Sequence, residues 1–333
     1  GWGCALSAFN PQLLKMTLDE ELTIVTDEND GWDGNKVKVG AVLGLSLSLG
    51  VQGTLVRLSR DEDGRLPYNP SALMFLGECV KLIMTLSLCL WRVPSLRAVF
   101  DQRNMLFAIP AFLFAAEYGL QLVSLGYFWP NPPVFMALMQ SRIIFTAFFL
   151  HYFLGTQLTY LHWLGLGLIC IGIILVIIQP VREAAWWSFP GVATLLLTSI
   201  TSSLASVIFE RYLKKNGGLL LVQMAWTFFF GVMFNGALLW VVEEKLFHAS
   251  GAFAESPLTA FILINFVMTG LLVPYILRSS SSIIFVLCVV AATFLSTVSS
   301  MLVLRFRPTV YFASGAFLLS SGLVVFFHRS FQL

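Results

Sequence analysis

Met139-Gln140-Ser141-Arg142-Ile143-Ile144-Phe145-Thr146-Ala147 lies inside an otherwise apolar run from Pro133 to Leu154. A run of about 20 apolar residues is the length an α-helix needs to cross a bilayer. An arginine near its middle is costly, about 2.5–3.5 kcal/mol on insertion scales. Snorkelling to the surface from that depth is difficult. Arg142 must therefore be paired or face water, and its planar, permanently charged fork suits a phosphate. Its counter-ion is either an acid on another helix, with Glu117 and Glu78 the candidates, or an anionic substrate.

The same length criterion applied along the chain gives ten spans. They are Val37–Val56, Ser71–Trp91, Met105–Phe128, Pro133–Leu154, Leu161–Ile178, Pro190–Phe209, Leu219–Val242, Leu258–Leu277, Ser282–Leu304 and Val310–Phe327. Composition agrees. Of 333 residues, 57% are hydrophobic and 11% charged, less than half the roughly 25% charge of a soluble domain. Thirty Phe and nine Trp would leave large apolar patches on a soluble globule of this length. Breakers such as Trp129-Pro130-Asn131-Pro132-Pro133 and Lys215-Asn216-Gly217-Gly218 mark short linkers, so successive helices are antiparallel neighbours in one bundle. The fold class expected is an all-α membrane protein with ten transmembrane helices.

Residues 1–35 are polar and acidic, with no apolar segment flanked by basic residues, and read as a solvated tail rather than a signal peptide. The helical domain then covers 36–328, and 329–333 form a short C-terminal tail. An even span count puts both termini on one side. That side carries eleven basic residues against seven opposite, which predicts cytosolic termini. In that arrangement Asp61-Glu62-Asp63 and Glu243-Glu244 face the other compartment.

Gly165 and Gly172 recur in spacing as Gly315 and Gly322, each pair in the last span of its half and each followed by an aliphatic run. This predicts a five-plus-five inverted repeat, 36–180 and 186–328, the plan of many secondary transporters. The alternative is the glycine-rich packing common between membrane helices. Arg142 lies 23 residues before Gly165, and Ala292 holds the corresponding place before Gly315, so the site is positive on one side only.

Three other ionisable groups lie within spans. Glu78 and Lys81 share a helical face, which makes them either a self-neutralising pair or part of a cavity wall. Glu117 has no opposite charge within a turn; it is protonated, paired with a base on another helix, or near the membrane edge. The cysteines fit neither a zinc site nor a disulfide framework, and no cofactor or metal is expected. A net charge of +2 with no basic run gives no footprint for nucleic acid. No span contains a His/Asp/Glu cluster, so an enzyme is the least favoured class.

These residues resemble the nucleotide-sugar transporter family of the drug/metabolite transporter superfamily, in particular its CMP-sialic acid, UDP-galactose and UDP-N-acetylglucosamine group. The second span carries Glu78-Cys79-Val80-Lys81-Leu82, similar to the family's Glu-x-x-Lys-Leu. The fourth carries Gln140 to Ala147, similar to Gln-x-Lys/Arg-Ile-x-x-Thr-Ala. The sixth runs from Ser203 to Lys214, similar to Ser-x-x-Ala-x-Val-Tyr-Phe-Glu-Lys-x-Leu-Lys. The resemblance spans roughly residues 36–328. It implies exchange of a cytosolic nucleotide sugar for a lumenal nucleoside monophosphate across the Golgi or endoplasmic reticulum membrane. It also implies that Arg142 meets the phosphates, that Gln140, Ser203 and Ser206 line the pocket, and that Glu78 and Lys81 shape its wall. Arg278 keeps an earlier basic position of the family. Two places depart from the pattern. The third span reads Glu117-Tyr118-Gly119 where the family has Gln-Asn-Asn, and Phe285 stands where a lysine is expected. These departures leave open a different phosphorylated organic anion, or a non-transporting scaffold of the same fold. The sequence is silent on self-association.

Overall fold

The computed structural model describes residues 34–59, 66, 68–92, 102–128, 135, 138–154, 159–183, 189–215, 219–242, 257–280, 282–305 and 307–327. Residues 1–33 of the expected N-terminal tail, the C-terminal tail and the two acidic loops lie outside these residues, while Gly34 and Asn35, expected in the tail, open the first helix. The described chain forms ten α-helices: α1 (Gly34–Ser59), α2 (Pro70–Arg92), α3 (Ala108–Phe128), α4 (Arg142–Leu154), α5 (Tyr160–Glu183), α6 (Phe189–Lys215), α7 (Leu220–Val242), α8 (Pro257–Ser279), α9 (Ser282–Val303) and α10 (Val310–Phe327). Short 3₁₀ turns over Gln102–Phe107 and Met139–Ser141 precede α3 and α4.

Local chemistry sets several ends. Asn69 caps α2 by accepting from the backbone N–H of Ser71 and Ala72 at 2.9 and 3.3 Å, ahead of Pro70 in the first helical position. The fourth span departs from an unbroken helix. Its α-helix starts at Arg142, after the 3₁₀ turn, and Ser203 on α6 donates to the Arg142 carbonyl at 2.8 Å. That side-chain bond gives the carbonyl a second partner at the point where the winding changes.

Polarity is inverted relative to a soluble protein. Lys81, Glu78, Arg142 and Glu117 are buried, while Trp91, Trp240, Tyr160 and Phe317 are each more than two-thirds exposed. Aromatics near helix ends, such as Trp91 and Tyr160, sit where interfacial belts form. Six helices are long and apolar enough to cross a membrane, within α1, α2, α6, α7, α8 and α9. Shorter apolar stretches lie in α5 (Tyr160–Val176) and α10 (Val310–Phe326). This is a multi-pass membrane protein.

Packing follows a pattern. α1 packs on α9 and α8, while α6 packs on α4 and α3. α2 packs on α8, while α7 packs on α3; α2 also meets α7, and α5 meets α10. Adding five to each helix number, and counting past ten back to one, maps these pairs onto themselves. The α5–α10 contact is the tightest. A Cβ on Gly165 would lie 2.7 Å from the Gly322 carbonyl oxygen, and one on Gly172 would lie 2.8 Å from that of Gly315. The two helices therefore run antiparallel with their backbones in contact. Polar bonds tie the other pairs. Ser48 on α1 meets Asn265 and Thr269 on α8 at 2.7 Å each, and Thr54 on α1 meets Ser299 on α9 at 2.8 Å.

Candidate functional site

The helices that do not join the α5–α10 post surround a chain of three cavities. The middle one encloses about 720 Å³ and is lined by Gln52, Glu117, Tyr118, Gln121, Arg142, Thr269 and Phe285 among others. It shares Phe114, Tyr118 and Val273 with a cavity of about 420 Å³ around Glu78 and Lys81. On its other side it shares Gln52, Gln121 and Phe266 with one of about 680 Å³ that reaches Leu66, Tyr68 and Pro70 at the start of α2.

Arg142 is the centre of the middle cavity. Its guanidinium lies 4.6 Å from the Phe285 ring centroid, and Nη1 donates to Ser202 on α6 at 3.4 Å. Nη2 is buried with no hydrogen-bond partner among the described residues. Glu117 faces the same cavity, but no ion pair joins it to Arg142 among the described residues. A buried charged donor left open is costly unless something fills it. What fits is an anion with acceptor oxygens, delivered from the cavity.

Glu78 and Lys81 behave differently. Lys81 Nζ donates to Glu78 Oε1 at 2.5 Å and sits over the rings of Phe266 and Phe228, at 4.4 and 5.1 Å. The room for them comes from two glycines. A Cβ on Gly231 would lie 2.6 Å from Glu78 Oε2, and one on Gly270 would lie 2.5 Å from Lys81 Cδ. The pair lines the smaller cavity with its charges mutually satisfied.

The other sequence candidates divide. Tyr118 borders both cavities, between the two acid–base couples. Gln140 turns away from the middle cavity, donating to Thr293 and to the Val289 carbonyl of α9. Ser203 donates to the carbonyls of Arg142 and Ser199, tying α6 to α4, and Ser206 donates to the Ser203 carbonyl within α6. Arg278 donates to the Leu213 carbonyl at the end of α6. It belongs to a polar clasp on that side of the bundle. There the Glu210 carboxylate accepts from the Ser282 N–H and from Lys214, each at 2.7 Å, and Lys214 also reaches the Ser280 carbonyl. Beside it, Leu45, Phe209, Leu213, Ile276 and Leu277 pack into a buried apolar cluster.

Gln52, Gln121, Thr269 and Ser202 were missed from sequence. The signal for the first two was present, as carboxamides inside apolar spans. Serines and threonines are too common in membrane helices for Ser202 or Thr269 to stand out.

An all-helical membrane bundle around a buried cavity that holds charged side chains fits a membrane carrier by class. Comparison with known proteins gives the family. The family model described as nucleotide-sugar transporter matches residues 33–327, and the chain belongs to that family. Membership puts it among transporters and not enzymes. A CMP-sialic acid transporter 1 of Arabidopsis thaliana is 26% identical over 301 residues, covering 85% of this chain and 87% of that one. A CMP-sialic acid transporter 1 of Oryza sativa subsp. japonica is 25% identical, covering 83% and 89%. A solved crystal structure overlays with a TM-score of 0.64 at 14% identity, across 90% of this chain and 99% of the other, a likeness of fold.

Proposed function

We propose that this carrier exchanges a cytosolic nucleotide sugar for a lumenal nucleoside monophosphate, by alternating access, in the Golgi or endoplasmic reticulum membrane. The observation that carries the reading is the buried Arg142 guanidinium with an unfilled Nη2 in the middle cavity. Around it, Glu117 and Tyr118 complete the substrate wall, Glu78 and Lys81 brace it, Gln140 and Ser203 hold the start of α4 against α9 and α6, and Ser206 bonds within α6. In this reading all ten helices span the bilayer as two inverted halves, 36–180 and 186–328, with tails at 1–35 and 329–333. The antiparallel α5–α10 contact and the fivefold shift that maps the helix pairs onto themselves support it. Rocking the halves about that post would open the cleft to each side in turn. With cytosolic termini, the Glu210 clasp is the closed cytosolic side and the cavity reaching Tyr68 is the lumenal one.

A second reading, a different phosphorylated organic anion, is favoured by Phe285, which leaves Arg142 as the one cation in the middle cavity among the described residues. The test is uptake into proteoliposomes. Labelled CMP- and UDP-sugars should enter faster when vesicles are preloaded with the matching monophosphate, and Arg142→Ala should abolish entry. Equal rates with and without preload would reject obligatory exchange. Entry of a sugar phosphate but of no nucleotide sugar would select the second reading.

A further inference from the structure

Among the described residues, the middle cavity holds one base and one acid, Arg142 and Glu117, which line it without an ion pair between them. We infer that Glu117 is a proton-binding site linked to the anion site at Arg142, so that each anion that binds is accompanied by uptake of one proton.

The argument is a charge count at a buried place. Empty, the Arg142 and Glu117 charges cancel. An anion filling Arg142 Nη2 leaves a net negative site in which the Glu117 carboxylate faces a like charge. A like charge at close range disfavours the ionised form, and an uncompensated buried charge costs several kcal/mol. Protonating Glu117 restores neutrality and turns a repelling acceptor into a donor for the incoming oxygen.

Among the described residues, nothing else nearby can supply that compensation. On α2, Lys81 is held at 2.5 Å by Glu78. On α6, Ser202 does not titrate, and the charged residues begin at Glu210, two turns on. α7 has no titratable residue along its length. α8 presents Phe266, Thr269 and Val273, and α1 presents Leu49 and Gln52. α9 presents Phe285 and Val289, with Cys288 beside Arg142. Tyr118 is a neutral donor between the two couples. The proton balance is simple. On binding, the carboxylate takes a proton from water in the cavity; on release of the anion, the carboxylic acid returns it to water. Linkage requires the converse, that protonation tightens anion binding by the same factor. A carrier built this way moves each anion together with a proton, so in one-for-one exchange a proton crosses in each direction.

This inference rests on the anion-carrier reading, and the experiment separates the two. The probe is the methyl phosphodiester of cytidine monophosphate, whose charge is constant between pH 5 and 8. A free monophosphate titrates near pH 6 and would confuse the result. Binding to the purified protein is measured by calorimetry in buffers of different ionisation enthalpy. The expected result is uptake of up to one proton per anion and affinity that falls as pH rises, approaching about tenfold per pH unit within the titration of Glu117. Glu117→Gln should bind more tightly at neutral pH and lose the pH dependence. Probe binding without proton uptake by the wild-type protein overturns the inference and leaves the carrier reading standing. If the probe does not bind at any pH, the nucleotide reading fails. Infrared titration of the unliganded protein then decides the proton site. A protonated-carboxyl stretch that titrates in the wild type and vanishes in Glu117→Gln supports it, and its absence overturns it.

Discussion

Two buried acid–base couples sit on either side of Tyr118, and they are in opposite states. Glu78 and Lys81 come from one turn of one helix and hold each other at 2.5 Å. Glu117 and Arg142 come from α3 and α4, face a common cavity, and leave a guanidinium nitrogen unfilled. Both bases lean on phenylalanine rings, so the aromatic surroundings do not distinguish them. Distance along the chain does. Residues three apart on a helix stay neighbours whatever the bundle does, whereas residues on separate helices can be parted and bridged by a ligand. The first couple is an internal strut; the second sets a basic and an acidic side chain on separate walls of one cavity.

Lys81→Ala is the substitution with the largest expected effect. It strands Glu78 in an apolar wall, and breaking a buried pair costs about 3–5 kcal/mol, seen as a large fall in melting temperature in detergent. Replacing both residues by neutral ones of similar size should recover most of that loss. If the double variant melts as low as the single, the couple does more than neutralise itself.

Arg142→Ala should abolish transport with a smaller change in melting temperature. Losing a charge-assisted, desolvated contact costs about 2–5 kcal/mol, or roughly 30-fold or more in affinity. Arg142→Lys should fall between, since lysine keeps the charge and loses the fork. A stable Arg142→Ala protein with normal nucleotide affinity would erase the distinction between the couples. So would recovery of function on removing Glu117 as well, which would make the second couple a strut too.

Gly270→Ala sharpens the comparison, because its new methyl would press on Lys81 Cδ and cannot reach Arg142. Crowding of this kind costs about 1–3 kcal/mol. Melting temperature should fall while nucleotide affinity, measured on the surviving fold, changes little. The smallest effects belong to the rings. Phe285→Leu should weaken nucleotide binding by about 0.5–2 kcal/mol, the worth of a cation–π contact, with Phe266→Leu acting on melting temperature instead.

Much of the bundle was legible in the sequence, because a membrane span is a length-and-polarity signal carried by each segment alone. The α2 couple was legible for the same reason. The open couple was legible only as three alternatives for Glu117 and two for Arg142, since which helices touch is decided by packing across the whole bundle. The resemblance implied that Gln140, Ser203 and Ser206 line the pocket; their hydrogen bonds go to α9, to the Arg142 carbonyl and within α6. The change of winding at Arg142 had no sequence signal beyond the prolines upstream. The repeated glycine spacing carried more than it first offered: Gly165 meets Gly322 and Gly172 meets Gly315, so the two copies of the motif are each other's partners.

That last contact has a consequence for how the chain can vary over generations. A bulky substitution in an ordinary core can be rescued by shrinking the residue it strikes. Along α5 and α10 the atoms struck are side-chain carbons of Phe326, Leu319, Val176 and Ile169 and, at every one of the four glycines, a carbonyl oxygen and an amide nitrogen of the facing helix. A backbone atom cannot be made smaller by any codon change, so a missense change at any of these four glycines has no second-site suppressor on the facing residue. The post between the two halves should be among the least negotiable parts of the gene, although it touches neither couple.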